Sequence, residues 1–199
     1  MAITLNGSTG IVEANIADNA ITTNKIASGA VSSTDLAVGA ARANFGAGAV
    51  LQIQETIQTV QPAFTNYVYN DLGLSVNITP SSSSNKILIL WNVNFGGVNN
   101  SYCAFQVRRN TTFINQPGQT GVGEECTFAA KITDDYTVYN CSGQFLDSPS
   151  TISQVTYDII GSPKRSGTGN TLYINRSGIL GDDNQFRTVS SITVMEIAA

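Results

Sequence analysis

"KILILWNVNF", residues 86–95, is the stretch on which the fold reading turns. It is apolar almost throughout, rich in β-branched and aromatic residues, and bounded upstream by the turn-forming "TPSSSSN". A run of this length and composition reads as a strand rather than a helix. Its Trp91, the only tryptophan of the chain, is expected in the core rather than on a ligand platform. Working outward, the same grammar recurs. "AVLQIQETIQ" (49–58) alternates Leu51, Ile53 and Ile57 with Gln52, Gln54 and Gln58. Further strands are expected at 66–70, 74–78, 102–108, 126–132, 136–145, 151–160, 170–176 and 189–197, with Gly, Pro, Asn, Asp and Ser in the connections. Roughly ten short strands without an amphipathic helix predict an all-β fold, an antiparallel β-sandwich of jelly-roll type over residues 49–199.

Composition narrows the function. Charged residues make up 12% of the 199-residue chain, about half the share usual in a soluble domain. Such a surface is solvated by Ser, Thr, Asn and Gln and suits a protein packed into an assembly. The net charge of −4 and the lack of any basic run argue against nucleic-acid binding. No apolar run reaches membrane-span length, and "MAITLNGSTG" lacks the marks of a secretory signal. Cys103, Cys126 and Cys141 show no C-x-x-C spacing and are expected as reduced thiols, a Cys126–Cys141 disulfide being the alternative.

The first 44 residues obey a different grammar, with no aromatic residue. "ITTNKIASGA" (21–30) and "VSSTDLAVGA" (31–40) align at a period of ten, and Ile11, Ile16, Ile21, Ile26, Val31 and Leu36 recur every five residues. On a helix, five steps advance about 500° and leave no apolar stripe. On a strand they fall on alternate faces. An extended chain with regular tight turns brings each apolar residue back to one side. Asn19, Gly29 and Gly39 occupy matching positions, and Asn and Gly share an ease in the left-handed region, so one shared turn with positive φ is expected at all three. One large apolar residue in five cannot be buried within a single chain, whereas three chains around an axis bury it. The expected organisation is an attachment segment at 1–15 carrying Ile3, Leu5, Ile11 and Val12, an extended stalk at 16–44, a Gly-rich junction at 45–48, and the β-sandwich at 49–199. The stalk makes the protein a parallel homotrimer.

No catalytic motif emerges. The chain has no histidine, which removes the commonest general base and metal ligand. Glu124-Glu125, Asp134-Asp135 and Asp182-Asp183 sit beside turn residues and read as loop carboxylates, without the spaced series of a calcium loop. "GSPKRSGTGN" (161–170) reads as a hairpin loop, and Arg108-Arg109 as a solvated or ion-paired strand end. No cofactor, metal or enzyme activity is expected.

"MAITLNGSTGI", "IADNAITTNKIASGAVSSTDLA", "GAVLQIQETIQT" and the ending "SSITVMEIAA" resemble fibre proteins of tailed bacteriophages, especially phages of aquatic bacteria and cyanobacteria. The resemblance covers the N-terminal quarter and the first and last strands. It implies a virion structural protein, anchored through its N-terminus to other virion proteins and exposing a trimeric β-rich C-terminal part toward a host-surface glycan or protein, with no enzyme activity and no membrane insertion. A short tail fibre and a capsid-attached head fibre or decoration protein are both compatible with it; a small polysaccharide depolymerase is the alternative from the enzyme class. If the repeat builds the stalk, Gly29→Val weakens it by ~1 kcal/mol or more per chain through strain at a left-handed position. The expected readout is a lower dissociation temperature of the oligomer.

Overall fold

The computed structural model describes residues 46–118, 123–164, 170–181 and 186–199. The expectations for Ile3, Leu5, Ile11, Val12, Ile16, Asn19, Ile21, Ile26, Gly29, Val31, Leu36 and Gly39 lie outside the described residues, as do Asp182-Asp183 and part of the 161–170 loop. Gly46–Ala199 forms one compact unit. Its strands are β1 (Val50–Gln58), β2 (Ala63–Phe64), β3 (Asn70–Ile78), β4 (Lys86–Gly97), β5 (Tyr102–Arg109), β6 (Thr112–Ile114), β7 (Phe128–Lys131), β8 (Tyr139–Asp147), β9 (Val155–Pro163), β10 (Leu172–Ile174) and β11 (Ser190–Ile197). There is no helix among the described residues, and the strand pairs are antiparallel. One sheet runs β1-β11-β4-β10-β2, with β8 also on β4; the other runs β3-β9-β5-β6, with β7 on β5.

The KILILWNVNF stretch lies within β4, the strand that pairs with β11, β8 and β10. Its alternate residues Ile87, Ile89, Trp91, Val93 and Phe95 are buried, and they meet Leu74, Val76, Phe105, Val107, Tyr157 and Ile159 of the other sheet in one core. Burying each such side chain stabilises by about 1.5–3 kcal/mol. A ladder of rings crosses between the sheets. Trp91 stacks on Phe128 (6.4 Å between centroids), Phe128 on Phe105 (4.5 Å), Phe105 tilts against Phe95 (4.9 Å), and Phe95 stacks on Tyr139 (5.9 Å). Gly143 of β8 makes room for the indole: a Cβ there would lie 2.8 Å from Trp91 Cε2.

One expected strand is corrected, and another gains a partner. Residues 66–68 of "NYVYN" form bends and Tyr69 is irregular, because the Asn70 amide turns back to donate to Asn66 Oδ1 (2.8 Å) and the Val68 carbonyl (2.7 Å). The expected 102–108 strand gains a hairpin partner, β6, across a turn in which Asn110 adopts φ 55°.

The sheets are joined along one side by side chains rather than by ladder pairing. Three polar residues of β1 face inward and donate to carbonyls on and just beyond β3: Gln52 to Thr79 (2.8 Å), Thr56 to Ser75 (2.7 Å) and Gln58 to Leu72 (3.0 Å). A bulge in β3 places Gly73 at φ +74°, and its missing side chain admits the Gln58 amide. Because Gln52, Thr56 and Gln58 take the inner side of β1, Ile53 and Ile57 point outward and are exposed.

At the end where the chain enters, Glu196 of β11 is fully buried. Its Oε1 accepts from the Ser81 amide (2.6 Å), Ser81 Oγ (2.7 Å) and Asn85 Nδ2 (2.7 Å), and its Oε2 from Gln52 Nε2 (2.6 Å). Burial pushes this carboxyl up, but the hydrogen bonds from Asn85, Gln52 and Ser81 outweigh it and hold it below the ordinary value of 4.5. A depressed folded value means the stabilisation is full above the unfolded pKa and is lost as pH falls through the folded one. Glu196→Gln is expected to cost about 1–3 kcal/mol at neutral pH by setting an amide donor among donors. It should also remove this group's share of the acid-side loss in a pH series of urea melts.

Candidate functional site

The loops divide between the two ends of the sandwich. Gly46 to Ala49, the 79–85 turn and the C-terminus lie together at one end, where the Gly48 amide donates to the Ala198 carbonyl (2.8 Å) and the Ala199 amide to Asn85 Oδ1 (3.2 Å). The loops at 98–101 and 132–138 and the segments 175–181 and 186–189 lie at the other. They are tied to one another by Asn100 N to Ile132 O (2.8 Å), Ile179 N to Asp135 O (3.2 Å) and Asn175 N to Asn94 O (2.8 Å). From Lys86 to Asn94, β4 carries the chain about 26 Å between these ends.

A cleft of about 550 Å³ opens at this far end, between the 136–138 segment, the 186–188 segment and Asn94. Two aromatic rings stand exposed in it, Tyr136 at 45% and Phe186 at 61%. The first segment is held by Asp134, whose carboxylate accepts from the Tyr136 amide (2.8 Å) and Thr137 Oγ1 (2.9 Å). The second is held by the Thr188 amide on the Asn175 carbonyl (2.9 Å) and by a bridge between Arg176 and Arg187. Asn94 is fixed by donating to Val189 O (2.5 Å) and accepting from Asn140 Nδ2 (2.9 Å). Arg187 supplies a cation, and Thr188 Oγ1 is buried with no hydrogen-bond partner among the described residues. Rings beside amides, hydroxyls and one guanidinium make a surface that stacks on an apolar face and hydrogen-bonds around it.

A second cleft, about 390 Å³, lies beside β5 and β7 toward the same end. Lys164 pairs with Glu124 and sits 4.1 Å above the Tyr69 ring, while Lys131 lies 5.7 Å from the Tyr102 ring. Burial first, and then the Glu124 carboxylate, push the Tyr69 phenol up. Cys103 and Cys126 line this cleft. All three cysteines are free; burial raises the Cys103 thiol to about 12 and the Cys141 thiol to about 11, and also raises that of Cys126.

The acidic pairs act within loops. Glu124 engages Lys164, Glu125 accepts from Gln116 Nε2 (3.0 Å), Asp134 holds its own turn, and Asp135 accepts from the Asn99 amide. Among the described residues no three acidic or thiol groups converge as metal ligands. Arg108 and Arg109 are both ion-paired, to Asp158 and Asp147, and Asp147 also accepts from the buried Tyr157 hydroxyl (2.7 Å). Sequence reasoning passed over the far-end cleft because Asn94, Tyr136 and Phe186 are distant along the chain. The one available signal was the clustering of turn residues around 133–138 and 181–188. Comparison with protein-family models and with curated proteins finds no match for this chain.

Proposed function

We propose that this protein is a structural virion fibre of a tailed phage, anchored on the virion through residues 1–15 and presenting a trimeric jelly-roll-like domain to the host surface. One observation carries the reading. Gly46, the first described residue, lies at one end of the sandwich, and the cleft bearing Tyr136 and Phe186 opens at the other. A tethered protein that must touch a surface needs this polarity. The cleft's chemistry suits a host-surface glycan: exposed rings stack on the apolar faces of sugars, while Asn94, Arg187 and Thr188 meet hydroxyls or an acidic substituent. The low charge content and the sparse apolar repeat of residues 11–36 support assembly into an oligomer. The reading gives the protein no catalytic step and no cofactor; its work is adhesion and geometry.

Two variants test the two ends. Deleting residues 1–15 is expected to abolish incorporation into virions while the β-domain keeps its far-UV circular dichroism; assembly of the truncated chain onto virions would place the anchor elsewhere. Tyr136→Ala with Phe186→Ala is expected to leave incorporation intact and to slow adsorption to host cells at least tenfold. Unchanged adsorption would remove this cleft from host contact. Immunogold labelling of the virion distinguishes tail from head.

A further inference from the structure

We propose that the outward face of the six-stranded sheet packs against further copies of this chain, around an axis parallel to its strands. The inference deepens the homotrimer reading above and rests on it. On this face the strand registers set Leu146 of β8, Leu88 of β4, Met195 of β11 and Ile53 of β1 in a single row. Ile53 is 54% exposed and Leu146 47%, and Leu88 and Met195 between them are half-buried. The next row reads Gln144, Leu90, Thr193, Glu55, and the third Ser142, Asn92, Ser191, Ile57.

A solvated sheet face is normally polar. Here a band of four apolar side chains about 14 Å wide crosses it, at the strand spacing of ~4.8 Å. The five-stranded sheet shows the contrast. Its outward residues Gln106, Asp158 and Ile160 are already buried, and Gln106 donates to the Glu125 carbonyl (2.7 Å) of the loop that covers it. Four strands over eight residues present a face of roughly 500 Å², so three such faces turned to one axis enclose roughly 1,500 Å² in the trimer, each face shared between two neighbours.

The row ends indicate how copies meet. Rotation about an axis parallel to the strands keeps every residue at its own height. The β1 edge of one copy then meets the β8 edge of the next, level for level. Ile53 meets Leu146, an apolar contact. Glu55 meets Gln144, a carboxylate acceptor facing an amide donor. Leu88 and Met195 converge near the axis. This packing also sets Gly46 of each copy at one end and each far-end cleft at the other. A twofold face-to-face packing would give up this level-for-level match.

The test uses the full-length chain with Ile53→Cys and Leu146→Cys together, treated with a short bismaleimide, against each single variant and the wild type. Sedimentation equilibrium of each protein gives its assembly state. The expected result is a wild-type trimer, with the double variant converted to covalent trimer on denaturing gels and neither single variant exceeding the wild-type background. A trimer whose double variant crosslinks no more than the wild type would overturn the assignment of this face and leave the trimer standing. Crosslinked dimers from Ile53→Cys alone would establish a twofold packing and overturn the geometry. A wild-type monomer at micromolar concentration would overturn both this inference and the trimer reading. Leu146→Asp, at an exposed position, is expected to raise the trimer dissociation constant at least tenfold with an unchanged circular dichroism spectrum; an unchanged constant would also overturn the assignment.

Discussion

Glu196 is a charge placed where charge is costly, in a strand of the core sheet and with no ion-pair partner among the described residues. Moving a carboxylate out of water costs several kcal/mol even after relaxation. Here the cost is offset by four donors drawn from two separate parts of the chain: Gln52 on β1, and Ser81 and Asn85 on the connection between β3 and β4. The carboxylate is satisfied only when all of them are in place. A slip of β11 by one residue would bury Met195 or Ile197 among unpaired donors and turn the charge outward. Because β11 lies between β1 and β4, its register also sets theirs. The seam between β1 and β3 follows, since Gln52 serves both Glu196 and the Thr79 carbonyl.

How much of this was legible in the sequence depends on the range of the interaction. β4 was plain because its apolar run is local, and so were β1, β5, β8, β9 and β11, where patterns of five to nine residues suffice. "NYVYN" shows the limit: it alternates like a strand, but the Asn70 side chain bonds back to its own segment and bends it. The β5–β6 hairpin was signalled by Asn110-Thr111 between two β-like runs, a turn signal that was passed over. What pattern reading cannot supply is pairing across many residues. Arg108 and Arg109 read as a strand end, yet their partners Asp158 and Asp147 lie 50 and 38 positions away. The glutamines of β1 look like a solvent face and are the seam instead. The cleft at the far end shares this difficulty, since two loop segments and one residue of β4 build it and none of them carries a motif.

The division between the two ends gives the fold a direction. One end is tied by backbone pairing of Gly48 and Ala49 with Ala198, by the Ala199 amide on Asn85 Oδ1, and by the Glu196 network. The other end is built of connections held by side-chain caps such as Asp134 and by single backbone bonds. Loops of this kind can change residue by residue without disturbing the sheets.

The thiols carry a consequence for oxidation. Oxidation and disulfide exchange proceed through the thiolate. With Cys141 near 11 and Cys103 near 12, their thiolate fractions at pH 8 are about one in a thousand and one in ten thousand. Cys126 is shifted the same way by burial and by Glu124. Cys103 and Cys141 are therefore slow to oxidise or exchange, and the stability of the domain rests on its β-sheets rather than on its cysteines.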